Sequence, residues 1–301
     1  MESSLIIRLP NWIGDAIMCL PALLLLQKLN VPFILLGRPW IHDLFKHLDM
    51  PMVSCPKSKI EATKVLRKIP ANNILLLTNS FSSAFIARLA NKKSIGYACD
   101  GRRFLLNHAI PKPIDFHETD VFNHLTQEML KCWFPALKPV RFTLNPSIDL
   151  PNRDSKSSIQ KPYIILCPFA HGKSPEGLSK KWPHWEALSH ELKAFNPIIC
   201  PGPSELQEAH NLYPHLQQLT GLKLDEYLYV LSQAEIIIAN DSGPMHMAAA
   251  TGRPTLALFG TTSEKRTAPR NAITLGKKGQ WPKLEEVLKA FYAYHPNKNL
   301  I

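Results

Sequence analysis

The sequence has no apolar run long enough to cross a membrane, since a spanning helix needs roughly 18 or more apolar residues in succession. The longest candidate, Ala16–Leu26, is shorter and is interrupted by Pro21. The N-terminus also lacks the basic region and apolar core of a secretion signal, because Ser3–Arg8 already has the pattern of a strand. We therefore expect a cytoplasmic protein.

Several common site motifs are missing as well. The six cysteines are widely spaced and none forms a C-x-x-C pair, so we expect buried thiols in a reducing compartment rather than metal ligands or redox groups. The dinucleotide fingerprint G-x-G-x-x-G is absent, and so is a D-x-D pair that could hold a divalent cation. The sequence accordingly predicts no cofactor and no metal site.

Acidic residues are in the minority: 35 lysines and arginines stand against 24 aspartates and glutamates, for a net charge of +11. A basic surface favours an anionic partner such as a phosphorylated substrate or an acidic membrane. No zinc-finger, RNP-like or helix-turn-helix pattern accompanies the charge, so no nucleic acid partner is expected. A single basic cluster is more often just a solvated face. The clusters comprise Lys57, Lys59, Lys64, Arg67, Lys68, Lys92, Lys93, Arg102 and Arg103.

Strand-like and helix-like segments alternate along two halves of the chain. The predicted strands are Leu5–Leu9, Pro32–Leu36, Ile74–Leu77, Ser94–Tyr97, Tyr163–Cys167, Pro197–Cys200, Ile236–Ala239 and Thr255–Phe259. The predicted helices are Ala16–Leu29, Lys59–Lys68, Ser82–Ala90, Asp120–Trp133, Trp185–Leu192, Glu205–Leu212, Asp225–Ser232 and Met245–Thr251. A polar, proline- and serine-containing stretch separates the halves. The pattern predicts an α/β protein with two Rossmann-like domains, 1–148 and 162–301, joined by a linker at 149–161 and facing a central cleft.

The segment Ile236–Phe259 has the order strand, tight turn, helix, strand. The turn Asn240–Pro244 consists of residues that start helices, and His246 follows within the first turns. Backbone N–H groups and the positive end of a helix meet in such a turn, which favours a phosphate site. The alternative is a plain core helix capped by Asp241 or Ser242.

Three further turns follow predicted strands, where ligands of parallel sheets bind. Leu9–Asp15 offers one carboxylate, Asp15, either as a general base or as a helix cap. Pro168–Pro183 contains lysines that suit a diphosphate, although a solvent-exposed loop would look similar. Cys200–Glu205 ends in a carboxylate that could accept hydrogen bonds from ribose hydroxyls or cap the next helix.

Taken together, these motifs resemble those of the ADP-heptose:lipopolysaccharide heptosyltransferases of glycosyltransferase family 9. The resemblance rests on Gly14-Asp15 followed by Pro21-Ala22-Leu23, Lys180-x-Trp182-Pro183, Asn240-Asp241-Ser242-Gly243-x-x-His246, Arg253-Pro254 and Phe259-Gly260-Thr261-Thr262. Gly96-Tyr97 with Arg102-Arg103 further resembles the branch that adds the second heptose, heptosyltransferase II.

The resemblance implies a GT-B fold with the acceptor on the N-terminal domain and the donor nucleotide-sugar on the C-terminal one. Asp15 would be the catalytic base, and Lys180 would meet the donor diphosphate. The other implied donor-binding residues are Glu205 for the nucleoside and Asp241, Ser242, Gly243 and His246 for the diphosphate and sugar. The basic residues Lys64, Arg67, Arg102 and Arg103 would face the anionic lipid A-core acceptor or the anionic inner-membrane surface.

The implied reaction is an inverting, metal-independent transfer of L-glycero-D-manno-heptose from ADP-heptose to the Kdo/heptose-lipid A inner core. The protein would then be peripheral on the inner face of the inner membrane. Two other classes stay open. A GT-B nucleotide-sugar epimerase would show further acid and base residues beside Asp15, and a non-catalytic nucleotide-sugar or lipid-binding GT-B protein would not need Asp15.

Overall fold

Buried apolar strands form two separate parallel sheets in the computed structural model, which describes residues 5–137, 146–148, 150, 159–170 and 177–294. The sheets belong to two units of the chain, Met1–Pro146 and Ser147–Ile301. Most of the linker predicted at 149–161 lies outside the described residues, so its boundaries stay a prediction.

The first unit contains a six-stranded sheet with the strand order β3-β2-β1-β4-β5-β6. Its strands are β1 Leu5–Arg8, β2 Phe33–Gly37, β3 Met52–Ser54, β4 Asn73–Leu76, β5 Lys93–Tyr97 and β6 His108–Ile110. Its helices are α1 Ile13–Met18, α2 Leu20–Lys28, α3 Ile41–Leu44, α4 Lys59–Lys68, α5 Phe81–Leu89 and α6 Glu118–Trp133, with a short 3₁₀ helix at Arg103–Leu105.

The second unit contains a six-stranded sheet with the order β12-β11-β10-β7-β8-β9. Its strands are β7 Ile164–Cys167, β8 Pro197–Ile199, β9 Gln217–Gln218, β10 Ile237–Asn240, β11 Thr255–Leu258 and β12 Ile273–Leu275. Its helices are α7 Trp185–Glu191, α8 Leu206–Leu212, α9 Leu224–Ser232, α10 Gly243–Ala250, α11 Glu264–Thr267 and α12 Leu284–Tyr294, with a 3₁₀ helix at Lys193–Phe195.

The two sheets have the same topology. Every residue of β1, β7, β10 and β11 is buried, as expected for parallel strands covered by helices on both faces. In each sheet the strand order reverses once, between β1 and β4 in the first unit and between β7 and β10 in the second. Ligands of such sheets bind beyond the carboxyl ends of the two strands that flank the reversal. The predicted α/β class with two Rossmann-like sheets is confirmed.

One predicted helix is wrong. The segment Ala16–Leu29 forms two helices, α1 and α2, which meet at Cys19. Pro21 has no N–H to donate to the preceding turn, so it occupies the first turn of a new helix instead of continuing the old one. The other predicted helices and strands are confirmed, with each end within two residues of its predicted position.

The prediction of buried thiols is confirmed for some of the cysteines and wrong for Cys132. Cys19, Cys55 and Cys167 are buried, whereas Cys132 is exposed. Burial raises the pKa of the Cys19 thiol, so it stays protonated and a poor nucleophile at neutral pH.

Among the described residues, no helix combines the length and the apolar character that a membrane span requires.

Candidate functional site

Asn240 ends strand β10 at the reversal of the second sheet, and its side chain is fully buried. Its Oδ1 accepts hydrogen bonds from the Trp182 backbone N–H and from the Trp185 indole Nε1, both at 3.0 Å. Its Nδ2 donates to the Pro168 carbonyl at 2.8 Å. A single amide therefore joins β10, the turn after β7 and the segment that leads into α7.

That segment places Lys180 against the residue that follows Asn240. The Lys180 Nζ lies 3.3 Å from the Asp241 Oδ2. The Asp241 carboxylate is buried, whereas 26% of the Lys180 side chain is exposed, so the ammonium group remains accessible from solvent. The Thr262 hydroxyl also donates to Asp241 Oδ2 at 2.5 Å, and the Thr267 hydroxyl donates to Oδ1 at 3.4 Å. The carboxylate thus holds a lysine and two threonines at the end of β10.

Helix α10 begins directly after this carboxylate. Ser242 occupies the position before the helix in an extended conformation and makes no capping hydrogen bond with its side chain, which donates instead to the Asn240 carbonyl at 3.3 Å. The Asp241 carboxylate is engaged by Lys180. Ser242 therefore occupies the predicted cap position without a side-chain capping bond, and the interpretation of Asp241 as the cap residue is wrong. Gly243 opens the helix, and its positive end carries backbone N–H groups suited to an anion.

The remaining donor-site candidates lie on the same unit. His246 is buried within α10. Glu205 directly precedes α8, in the turn that follows β8, and β8 is the strand beside β7. The Glu205 Oε2 accepts a hydrogen bond from the Gly202 backbone N–H at 2.7 Å. This bond shapes the turn after β8, while a contact of Glu205 with ribose stays a prediction.

Two adjacent lysines have different surroundings. Lys181 pairs with Glu208 on α8 at 2.6 Å, so its charge is directed away from Asp241. Lys180 pairs instead with Asp241, two residues before the start of α10. Within the predicted turn Pro168–Pro183, residues 171–176 lie outside the described residues, and Lys173 is one of them.

Asp15 lies in the first unit, in the first turn of α1, which is the first helix after β1. The helix begins after Trp12, so Asp15 is inside the first turn and the interpretation as a cap residue is wrong. Buried Arg8 supports the preceding loop, because its guanidinium donates to Asn11 Oδ1 at 2.7 Å and to the Leu36 carbonyl at 3.4 Å. Asp15 is half-buried at the edge where β1 and β4 flank the reversal.

The basic candidates separate into two groups. Lys64, Arg67 and Arg103 are exposed, as an acceptor or membrane contact requires. Arg102 is 0% exposed, and the expectation that it presents a charge at the surface is wrong. Its guanidinium donates to the carbonyls of Thr78 at 2.5 Å and Tyr97 at 2.9 Å, so it ties together the ends of β4 and β5.

The sequence does not predict the roles of three side chains in this site. Asn240 belongs to the predicted turn Asn240–Pro244 and Thr262 to the motif Phe259-Gly260-Thr261-Thr262, but neither position in the sequence indicates which groups the side chain contacts. Thr267 carried no signal in the sequence. All three act through contacts between residues far apart in the chain.

Comparison with known proteins points to one family. Residues 61–287 match the model of glycosyltransferase family 9 (heptosyltransferase). The chain is 26% identical to lipooligosaccharide heptosyltransferase 2 of Haemophilus influenzae, with 86% of this chain and 84% of the relative covered. The structure of Escherichia coli ADP-heptose lps heptosyltransferase II matches with a TM-score of 0.79 at 20% identity, covering 99% of this chain and 100% of that chain. An E. coli heptosyltransferase solved with ADP matches with a TM-score of 0.74 at 16% identity, covering 96% and 99%.

The substitution Asn240→Asp tests the central amide with almost no change in shape. It replaces the donor that faces the Pro168 carbonyl by an acceptor and buries a charge, so we expect a loss of about 3 kcal/mol in the free energy of unfolding at pH 7. Burial should raise the pKa of the new carboxyl, so the loss should be small below about pH 4 and grow as the pH rises.

Urea unfolding of both proteins at several pH values measures this effect. Asn211→Asp, on the exposed end of α8, is the matched control, and it should cost less than about 0.5 kcal/mol. Equal stability of the two variants at pH 7 would contradict the role given to Asn240.

Proposed function

The chain belongs to glycosyltransferase family 9, the heptosyltransferase family, and we propose that it transfers L-glycero-D-manno-heptose from ADP-heptose to the inner core of lipopolysaccharide. A heptosyltransferase of lipopolysaccharide core biosynthesis is what the family and its relatives support. The observation in the structure that carries the proposal is the meeting of Lys180, Asp241 and the start of α10 at the reversal of the second sheet.

This meeting suits the donor diphosphate. Lys180 and the backbone N–H groups at the start of α10 supply positive charge to the diphosphate oxygens. A carboxylate repels a diphosphate, so Asp241 serves best as the anchor of Lys180 and as an acceptor for hydroxyl groups of the heptose. His246 within α10 adds a donor, and Glu205 is assigned to the nucleoside.

Asp15 is assigned the role of general base on the acceptor side. Its carboxylate takes the proton from an acceptor hydroxyl while that oxygen attacks the anomeric carbon of heptose. The bond from this carbon to the diphosphate oxygen breaks, and ADP leaves with the electron pair. Lys180 and the start of α10 stabilise the charge that develops on the diphosphate. A single displacement of this kind inverts the anomeric configuration.

The acceptor is proposed to be the anionic Kdo/heptose-lipid A core. Exposed Lys64, Arg67 and Arg103 in the first unit support this assignment, because cations bind phosphates and acidic sugars. A lipid-linked acceptor also implies a peripheral position on the inner face of the inner membrane. Since the net charge is +11, an anionic leaflet would attract the protein.

The substitution Asp15→Asn tests the general base. It removes the proton acceptor and keeps the size of the side chain, so we expect the transfer rate to fall by about 10²- to 10⁴-fold while the Kd for ADP-heptose stays within about twofold. Mass spectrometry of a truncated lipopolysaccharide acceptor measures the transfer. Asp43→Asn, in the first turn of α3, is the matched control and should retain full activity.

Full activity of Asp15→Asn would contradict the general-base role. A wild-type protein that binds ADP-heptose without transferring it would favour the non-catalytic alternative, and release of an epimerised sugar would favour the epimerase.

The substitution Lys180→Ala tests the diphosphate contact. Loss of a charged hydrogen bond should raise the Kd for ADP about 10- to 100-fold, as measured by isothermal titration calorimetry. Lys181→Ala, whose lysine pairs with Glu208, should change the Kd by less than about threefold. Similar effects of the two substitutions would show that Lys180 has no special role in binding the diphosphate.

Chelation tests the proposed independence from metal ions. The sequence has no D-x-D pair, and Lys180 with the start of α10 is proposed to carry the diphosphate charge, so we expect the initial rate to be unchanged in EDTA. Loss of transfer in EDTA that magnesium or manganese restores would show that a divalent ion takes part.

A further inference from the structure

Four apolar side chains lie together on the outside of the first unit. Phe81, Phe85 and Leu89 recur every four residues along α5, which places them on one face of the helix. Phe104 on the 3₁₀ helix lies beside them, with its ring centroid 6.1 Å from that of Phe81, and Phe81 and Phe85 are 6.3 Å apart. We name these four residues the phenylalanine face.

The phenylalanine face is open to solvent in the described part of the chain. Phe104 is 75% exposed, Phe81 43% and Phe85 39%. Single exposed apolar residues are ordinary, but a contiguous group of aromatic rings on a soluble surface marks a binding surface. The rings pack against one another and keep part of their surface exposed, so burying them against a partner would remove apolar area from water.

Positive charge surrounds the phenylalanine face. Arg88 and Arg103 are exposed neighbours of Leu89 and Phe104 in the chain. Arg67 of α4 donates a hydrogen bond to the Leu89 carbonyl at 2.8 Å, so a third exposed arginine lies at the far end of α5. Glu61 is the one acidic residue in the sequences of α4, α5 and the 3₁₀ helix, and Lys64 pairs with it at 3.1 Å.

The phenylalanine face begins at the edge of the sheet that carries Asp15. Helix α5 starts with Phe81, shortly after the end of β4, and β4 pairs in parallel with β1. The 3₁₀ helix with Phe104 follows β5, the next strand of the sheet. The carboxyl ends of β1, β4 and β5 lie at one edge, so the rings and the proposed acceptor edge adjoin within this unit.

We propose that the phenylalanine face docks on an anionic lipid bilayer. The rings enter the boundary between headgroups and acyl chains, and Arg67, Arg88 and Arg103 contact lipid phosphates. The purpose of this docking, to bring the acceptor edge to a lipid-linked acceptor, rests on the proposed function. The docking itself is tested by binding to vesicles, which does not depend on the proposed function.

A second copy of the chain is a poorer occupant of the same surface. A two-fold contact would bring the arginines of one copy against those of the other, which repel. Four apolar side chains are also few beside the roughly 20–30 residues on each side of a stable interface. An anionic bilayer matches both the arginines and the apolar side chains, since it offers negative phosphates above an apolar interior.

Vesicle sedimentation with the full chain tests the proposal. The variant Phe81→Ser/Phe85→Ser/Phe104→Ser should bind vesicles of phosphatidylglycerol and phosphatidylethanolamine at least about tenfold more weakly than the wild type, because three rings no longer enter the bilayer. The variant Arg88→Ser/Arg103→Ser should lose about fivefold per arginine on these vesicles, and 0.5 M salt should abolish the difference. Leu212→Ser/Tyr294→Ser, which removes exposed apolar groups from the second unit, should bind like the wild type.

Activity separates docking from catalysis. The triple variant should transfer heptose to a deacylated, water-soluble acceptor at the wild-type rate and to an acceptor embedded in vesicles at least about tenfold more slowly. If the wild type transfers heptose to neither acceptor, the proposed function fails. Vesicle binding would still show whether the phenylalanine face docks on a bilayer. Should the triple variant fail to fold by circular dichroism, Phe104→Ser alone, at the most exposed ring, replaces it.

Two results would overturn the proposal. One is equal binding of the wild type and the triple variant to anionic vesicles, or no binding by either. The other is a change from dimer to monomer in light scattering on substitution of the rings, with vesicle binding unaltered, which would assign the phenylalanine face to a second copy of the chain.

Discussion

The buried amide of Asn240 is the interaction on which the second unit's site depends. It satisfies the backbone N–H of Trp182, the indole of Trp185 and the carbonyl of Pro168 at once. An apolar residue here would leave all three groups buried without these partners, and a charged one would oppose the carbonyl. Because Trp182 is anchored, Lys180 two residues earlier stays within 3.3 Å of Asp241. The proposed contact of Lys180 with a diphosphate therefore depends on a neutral side chain that need not touch the ligand.

The topology of the sheets explains where the chemistry lies. Asp15 follows β1 and Asp241 follows β10, and each of these strands borders the single reversal in its own sheet. At a reversal the two flanking strands continue into helices on opposite faces, so their turns separate and leave a groove. The same constraint acts twice, once in each unit. In the second unit Lys180 pairs with the carboxylate that precedes α10, and the proposed donor site rests on this pair.

Prediction from the sequence succeeded for elements whose structure is set by a local pattern of residues. It failed for features that are set by contacts with segments far away in the chain. Central strands such as β1 and β10 are continuous apolar runs and were predicted. The edge strands β3, β6, β9 and β12 were missed, because edge strands are covered on fewer sides and carry no apolar run. The basic cluster around Arg102 predicts a surface charge, but the guanidinium of Arg102 is buried and its partners are the carbonyl of Tyr97 on β5 and that of Thr78, two residues after β4.

By itself the sequence determined the α/β class, most of the central elements and the motifs that point to glycosyltransferase family 9, because each is encoded within a short stretch of chain. It also determined which residue types were available for the chemistry: one carboxylate after β1, a lysine before α7 and a small-residue helix start after β10. Only the tertiary structure decided how these groups meet. Lys180 and Asp241 are 61 residues apart in the chain, and parallel strands bring them together by way of a buried amide. Likewise, Phe81 and Phe104 form one exposed face because α5 and the 3₁₀ helix follow neighbouring strands, and no spacing in the sequence specifies that contact.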